Sequence, residues 1–191
     1  MKYYIGIDPG RSGAVAAIDE NKNICMVHDW PNLSVKGVAK GNSKVKRIQH
    51  LDQEAGFMID QVNSFVKKVY TPDEPNVFCA LEKVHAFSMR EGRNVGMKST
   101  GDFMTAYGIW IGILSFWFSG NLEFVHPRTW QARIFGRLPK GTNTKEKSLL
   151  VARTVFGERV RSLLARKKDN GRSDALLIAL WLRNEKRQKL F

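Results

Sequence analysis

A chain of 191 residues is long enough for one domain with an ordinary core and leaves little for a second. Hydrophobic residues make up 43% and charged residues 26%, which argues against wholesale disorder, a collagen-like repeat or a disulfide scaffold. Lys and Arg number 31 against 18 Asp and Glu, so the formal charge of +13 points to a polyanionic partner without choosing between nucleic acid and an anionic surface.

Met1 and Lys2 lead straight into the apolar run Tyr3 to Ile7, so no secretory signal is expected. Asp8-Pro9-Gly10 reads as a turn, Gly13 to Ile18 as a second strand closed by Asp19-Glu20-Asn21, and Ile24 to His28 as a third, giving an antiparallel meander. Pro31 to about Lys46 is polar and basic with Gly37 and Gly41, the pattern of a mobile loop. Ile48 to Val69 carries helical spacing at Leu51, Ala55, Met58, Ile59, Val62, Phe65 and Val66. After a turn at Pro72 to Pro75, Val77 to Leu81 is apolar without alternation, as in a central strand covered on both faces, and it stops at Glu82. His85 to Thr100, rich in Gly, Ser, Arg and Lys, reads as a loop.

Phe103 to Phe118 is a strongly apolar helix in which Ala106, Gly108 and Gly112 permit close approach of another element. Its apolar stretch falls well short of the roughly 20 residues that span a bilayer, so it is a core helix. Leu122 to Val125 is a last strand, and Pro127 suits the first position of a helix over Trp130 to Phe135. A basic loop from Leu138 to Thr144 precedes a helix from Lys145 to Phe156, and a closing helix runs from about Ser173 to Arg187. The class is α/β: three antiparallel N-terminal strands, two further strands, and helices. With no internal repeat and no linker, residues 1–191 are expected to form a single domain. Cys25 and Cys79 lie in strand-like runs without CxxC spacing, so both are expected as buried reduced thiols in a reducing compartment, and His28, His50 and His126 show no ligand spacing.

Three acids close apolar runs: Asp8 after Ile5-Gly6-Ile7, Glu82 after Ala80-Leu81, and Asp174 at the head of Ala175 to Trp181. Each has an ordinary explanation, as a turn residue, as a strand end meeting solvent, or as a complement to a helix N-terminus. Together they form one cluster if the strands of Asp8 and Glu82 are neighbours and the last helix packs across their ends. In so basic a protein, such a cluster facing a phosphodiester repels it unless divalent cations intervene, and oxygen-only ligation suits Mg²⁺ or Mn²⁺. Two ions about 3.5–4 Å apart would hold the phosphate, activate water and stabilise the leaving 3′ oxygen, with Asp8 as the bridging ligand.

These residues resemble a known family. Ile5-Gly6-Ile7-Asp8-Pro9-Gly10 with Ser12 to Ala16 looks like the opening of RuvC-type Holliday-junction resolvases. Ala80 to Val84 is similar to their second acidic strand, and Gly171 to Ala179 to their final acidic helix, above all in the phage-like branch. Pro127-Arg128-Thr129-Trp130 and Lys145-Glu146-Lys147-Ser148 resemble the segments between. The resemblance runs through most of the chain in order. It implies an RNase H-like fold with a central mixed five-stranded sheet flanked by helices, a homodimer, two Mg²⁺ per site with Mn²⁺ able to substitute, and paired symmetrical nicks in a four-way junction leaving ligatable 5′-phosphate ends. It implies further a cytoplasmic protein of a bacterial or phage-infected cell, with neither membrane nor small-molecule cofactor as partner. One departure stands out: the family's fourth ligand, Asp or His, falls three residues before the last acid, where this chain has Gly171. Asp169 is the nearest candidate to join Asp8, Glu82 and Asp174, provided that the preceding loop turns it inward.

In such resolvases an aromatic near the second acid wedges into the opened junction. Phe87 is the available ring, although His85 stands nearer the family's position, and stacking on an unpaired base is worth about 1–3 kcal/mol. Arg90, Arg93 and Lys98 would contact phosphates, as would Lys140, Lys145 and Lys147 beside a helix start and Arg172 next to Asp174, with the tail from Arg183 to Lys189 adding nonspecific attraction. An Ile-Gly-Ile-Asp-x-Gly opening also occurs in the sugar-kinase, actin and Hsp70 superfamily, but those proteins need two such domains and this chain has one set of elements. The remaining alternatives are a related nuclease acting on flaps, branched DNA or RNA–DNA hybrids, and a noncatalytic junction-binding module.

Overall fold

The opening residues build the centre of the sheet. Tyr3–Asp8 (β1) pairs antiparallel with Ala14–Asp19 (β2), which pairs with Ile24–Asp29 (β3). On its other edge β1 runs parallel to Val77–Glu82 (β6), and β6 parallel to Leu122–Val125 (β7), so the five-stranded mixed sheet has the order β3-β2-β1-β6-β7. This is the α/β, RNase H-like architecture expected above. The computed structural model describes residues 1–10, 12–31, 34–36, 47–49, 51–71, 76–84, 97–136 and 143–188, and the backbone alone at 34–36, 47–49, 51–52, 97–100 and 102.

Strand parity sorts the buried apolar side chains of the sheet into two cores. Tyr4 of β1, Ala14, Ala16 and Ile18 of β2 and Ala80 of β6 face the helices Pro127–Phe135 (α3), Thr144–Phe156 (α4) and Asn170–Gln188 (α5). Ile5, Ile7, Val15, Ala17, Cys79 and Leu81 face Leu51–Val69 (α1) and Met97–Trp117 (α2). A sheet covered on both faces needs no polar alternation, which is why the strands read as continuous apolar runs.

Several boundaries differ from those read in the sequence. Arg47–Gln49 (β5) pairs with Ser34–Lys36 (β4) as a separate ladder, so α1 begins at Leu51 and not at Ile48, and part of the segment expected as loop is strand. Ile48 fits the helical spacing locally, but it is opposite Val35 in the ladder, a partner that a helical window cannot see. The α2 helix starts at Met97, so Lys98 to Thr100 belong to a helix. A 3₁₀ turn at Lys167–Asp169 leads directly into α5, which starts at Asn170, so Asp174 stands a full turn inside the helix instead of at its head. Cys79 is buried as expected, but Cys25 is exposed because β3 lies at the edge of the sheet. Among the described residues no helix is long and apolar enough to cross a membrane.

Candidate active site

Parity and register together bring the first two acids side by side. Ile7 of β1 is opposite Leu81 of the parallel strand β6, so one step further the adjacent strands end in Asp8 and Glu82. Asp8 follows Tyr4 and Gly6, and Glu82 follows Ala80, onto the face covered by α5. The helix supplies the third. A Cβ on Gly6 would run into the backbone of Ala175 and Ala179, so glycine there lets α5 lie directly on β1 and carries Asp174 to the strand ends.

The electrostatics are those of one cluster. Burial is the main force that lifts the Asp8 carboxyl to about 6, opposed by the Gly10 N–H, which donates to Oδ1 at 3.2 Å, and by the charge of Lys145. Burial first and the charge of Asp8 second lift Glu82 to about 7, against the indole of Trp130, whose Nε1 donates to Oε1 at 2.8 Å. Asp174 is raised well above the carboxylate range by burial and then by Asp8 and Glu82, while the Ser148 hydroxyl that donates to Oδ1 and the ammonium of Lys145 oppose the rise. Three partly buried carboxylates thus act on one another in one region, with Lys145 at the start of α4 as the lysine whose charge reaches both Asp8 and Asp174.

Two expected members lie elsewhere. Asp169 is buried, but Arg166 claims its carboxylate: the Arg166 backbone N–H donates to Oδ2 at 2.8 Å and the guanidinium to Oδ1 at 2.7 Å. The pair holds Asp169 below its usual carboxylate value despite its burial and closes a capping box before α5. Arg172 is likewise engaged, donating through Nε and a terminal nitrogen to both oxygens of Asp29 at 2.6 Å and to the Leu163 carbonyl at 3.0 Å. Both border a cavity of about 370 Å³ whose lining includes none of the three acids. Asp169 is therefore a cap and Arg172 a tie between α5 and the end of β3, not a fourth acid and a free phosphate donor. The structure also closes the position three residues before Asp174: a Cβ on Gly171 would collide with the carbonyl oxygen of Ser12, so no side chain fits there.

Phe87, Arg90, Arg93 and Lys140 lie outside the described residues, as does the side chain of Lys98. Lys147 is half-buried on α4, two residues beyond Lys145. The sequence reading missed Trp130 and Ser148 as partners of the acids. A signal existed for Ser148, the one hydroxyl in the buried stripe Ser148, Leu149, Ala152 and Phe156 of α4. Trp130, the one fully buried residue of α3 and one whose indole N–H needs an acceptor, offered a similar one.

The three acids are all-oxygen donors with unbalanced buried charge, which suits a hard cation, although among the described residues no three His, Cys, Asp or Glu side chains are drawn together in a geometry that could hold an ion. The set is a cluster of donors and not a closed cage.

No family model and no curated protein matches the chain. Among solved structures, Thermus thermophilus RuvC in complex with a Holliday junction substrate is similar with a TM-score of 0.54 and 14% identity, over 100% of this chain and 96% of that one. Thermus thermophilus RuvC by itself gives 0.46 and 16% over 98% and 96%. At such identity the likeness is one of fold: this chain folds like RuvC along its whole length.

Proposed function

We propose that the chain is a structure-selective endodeoxyribonuclease that resolves four-way DNA junctions by paired symmetrical nicks, as a homodimer with two Mg²⁺ per site. The observation that carries this reading is that Asp8, Glu82 and Asp174, drawn from the start, middle and end of the chain, lie within electrostatic reach of one another on one face of a RuvC-like sheet. Bound Mg²⁺ or Mn²⁺ would supply an activated water and stabilisation of the departing 3′ oxygen. Asp8, whose charge acts on both other acids, would be the carboxylate common to the bound ions, and its place at the end of a central strand fixes it on rigid backbone. Trp130 and Ser148 donate to the other two and favour their ionised, ligating form. Lys145 adds positive charge to a position that a phosphate approaching the acids would meet.

The +13 charge supplies attraction for DNA that is independent of base sequence. Phe87 as the wedge, with Arg90, Arg93, Lys98, Lys140 and Lys147 on phosphates, belongs to the same proposal, as do the phage-like branch suggested by Gly171 to Ala179 and a working place in the cytoplasm. The test is a panel of a synthetic four-way junction, a flap, a linear duplex and an RNA–DNA hybrid, each with Mg²⁺. Paired nicks at symmetrical positions in the junction alone are expected. Preference for the hybrid, or cutting that persists in excess EDTA, would remove the proposal.

A further inference from the structure

Two of the three acids are tied by donors from the helices that follow β7. In α3, opened by Pro127 and capped by His126, whose Nδ1 accepts from the Arg128 N–H at 3.3 Å, Trp130 is the buried residue, and its indole Nε1 donates to Glu82 Oε1 at 2.8 Å. In α4, capped by Asn143, whose side chain accepts from the Lys145 N–H at 3.0 Å, the buried Ser148 hydroxyl donates to Asp174 Oδ1. Packing does not require the Ser148 hydroxyl, since Ala would fill its place with little change of shape, and the hydrogen bond of Trp130 is carried by Nε1 alone, an atom that a purely apolar ring lacks. An indole N–H can only donate, so its direction marks Glu82 as its object. Each bond occupies one oxygen of its acid, and among the described residues no side chain or backbone N–H donates to Glu82 Oε2 or Asp174 Oδ2. Asp8 is steered differently, by the Gly10 N–H of its own turn.

We infer that Trp130 and Ser148 are positioning residues for a divalent cation: each pins one oxygen of its acid and thereby presents the other to the ion. This rests on the carboxylate-site reading above. Groups that orient a metal ligand in this way change ion affinity by about 10–100-fold when removed. The two consecutive helices α3 and α4 are, on this view, a clamp that sets the site from outside the acid-bearing elements.

The test measures Mn²⁺ binding to the full-length protein by titration calorimetry, with junction binding in EDTA as a second readout. Ser148→Ala and Trp130→Phe are expected to weaken Mn²⁺ binding about tenfold or more, with far-ultraviolet circular dichroism and EDTA junction binding as in the wild type. Ser148→Thr, which keeps the hydroxyl, is expected to restore the affinity. Should Ser148→Ala fail to fold, Ser148→Cys keeps the volume and weakens the donor. Asp8→Asn serves as the control for the site itself. If it loses Mn²⁺ binding while Ser148→Ala or Trp130→Phe binds as tightly as the wild type, the positioning role is overturned; if Asp8→Asn itself binds as the wild type does, the carboxylate-site reading fails.

Discussion

Burial lifts Asp8 to about 6, and burial together with the charge of Asp8 lifts Glu82 to about 7. Both values exceed those of the unfolded chain, so the native state holds these protons more tightly. The stabilisation that results is complete below about pH 4 and is lost as pH rises through 6 to 7. Asp169 has the opposite sign, since its carboxyl is lowered, but its contribution changes only in the acid range below that window. The ion-free protein is therefore expected to have a thermal midpoint that falls between pH 5 and pH 8, measured by calorimetry in EDTA, and to recover it on addition of Mg²⁺. Asp8→Asn should flatten the profile, stabilise the ion-free protein at pH 8 by roughly 2–3 kcal/mol, and abolish cutting. A wild-type midpoint that climbs with pH across that range would contradict the buried, uncompensated acids. On the proposed function, stability lost at Asp8 is the trade expected of an active-site residue.

The position of α5 decides whether Asp174 joins the other two acids, and Gly6 decides the position of α5. A Cβ at residue 6 would meet the backbone of the helix, which cannot rotate aside as a long side chain can. Gly6→Val is expected to cost about 1–3 kcal/mol or more of stability by denaturant unfolding. It should also lower cutting further than the folded fraction accounts for, because the helix must lift and take Asp174 with it. Activity that simply tracks the folded fraction would show that the close approach matters for packing alone. The strands and their terminal acids were legible in the sequence because both faces of the sheet are buried and Asp8 and Glu82 break apolar runs at their ends. The β4–β5 ladder was not, since its partners are separated by polar chain that shows no local strand pattern. Nor were the fates of Asp169 and Arg172. Arg172 reaches Asp29 across most of the polypeptide, and the bond between Arg166 and Asp169 is set by a 3₁₀ turn that periodicity does not reveal.

At the scale of the molecule, the +13 charge and the carboxylate cluster have opposed signs and separable tasks. On the proposed function, cations on the surface would attract phosphate, whereas Asp8, Glu82 and Asp174 would repel it until ions bind. The two contributions separate under salt, since log K for DNA binding falls against log salt with a slope of about −0.9 per phosphate neutralised. Junction binding by the wild type in EDTA is expected to weaken steeply between about 50 and 200 mM salt. Asp8→Asn should keep the same slope, because it removes no cation, and should bind the junction at least as tightly as the wild type because it removes a buried negative charge. Lys145→Gln should lower the slope by about one contact and reduce cutting more than binding, because its ammonium acts on Asp8 and Asp174 and not on the outer surface alone. Filter binding or anisotropy at four salt concentrations, with cleavage rates on the same junction, gives both quantities. If Lys145→Gln changes the slope and leaves the cleavage rate of bound junction untouched, Lys145 is an ordinary phosphate contact and the cluster works without its charge.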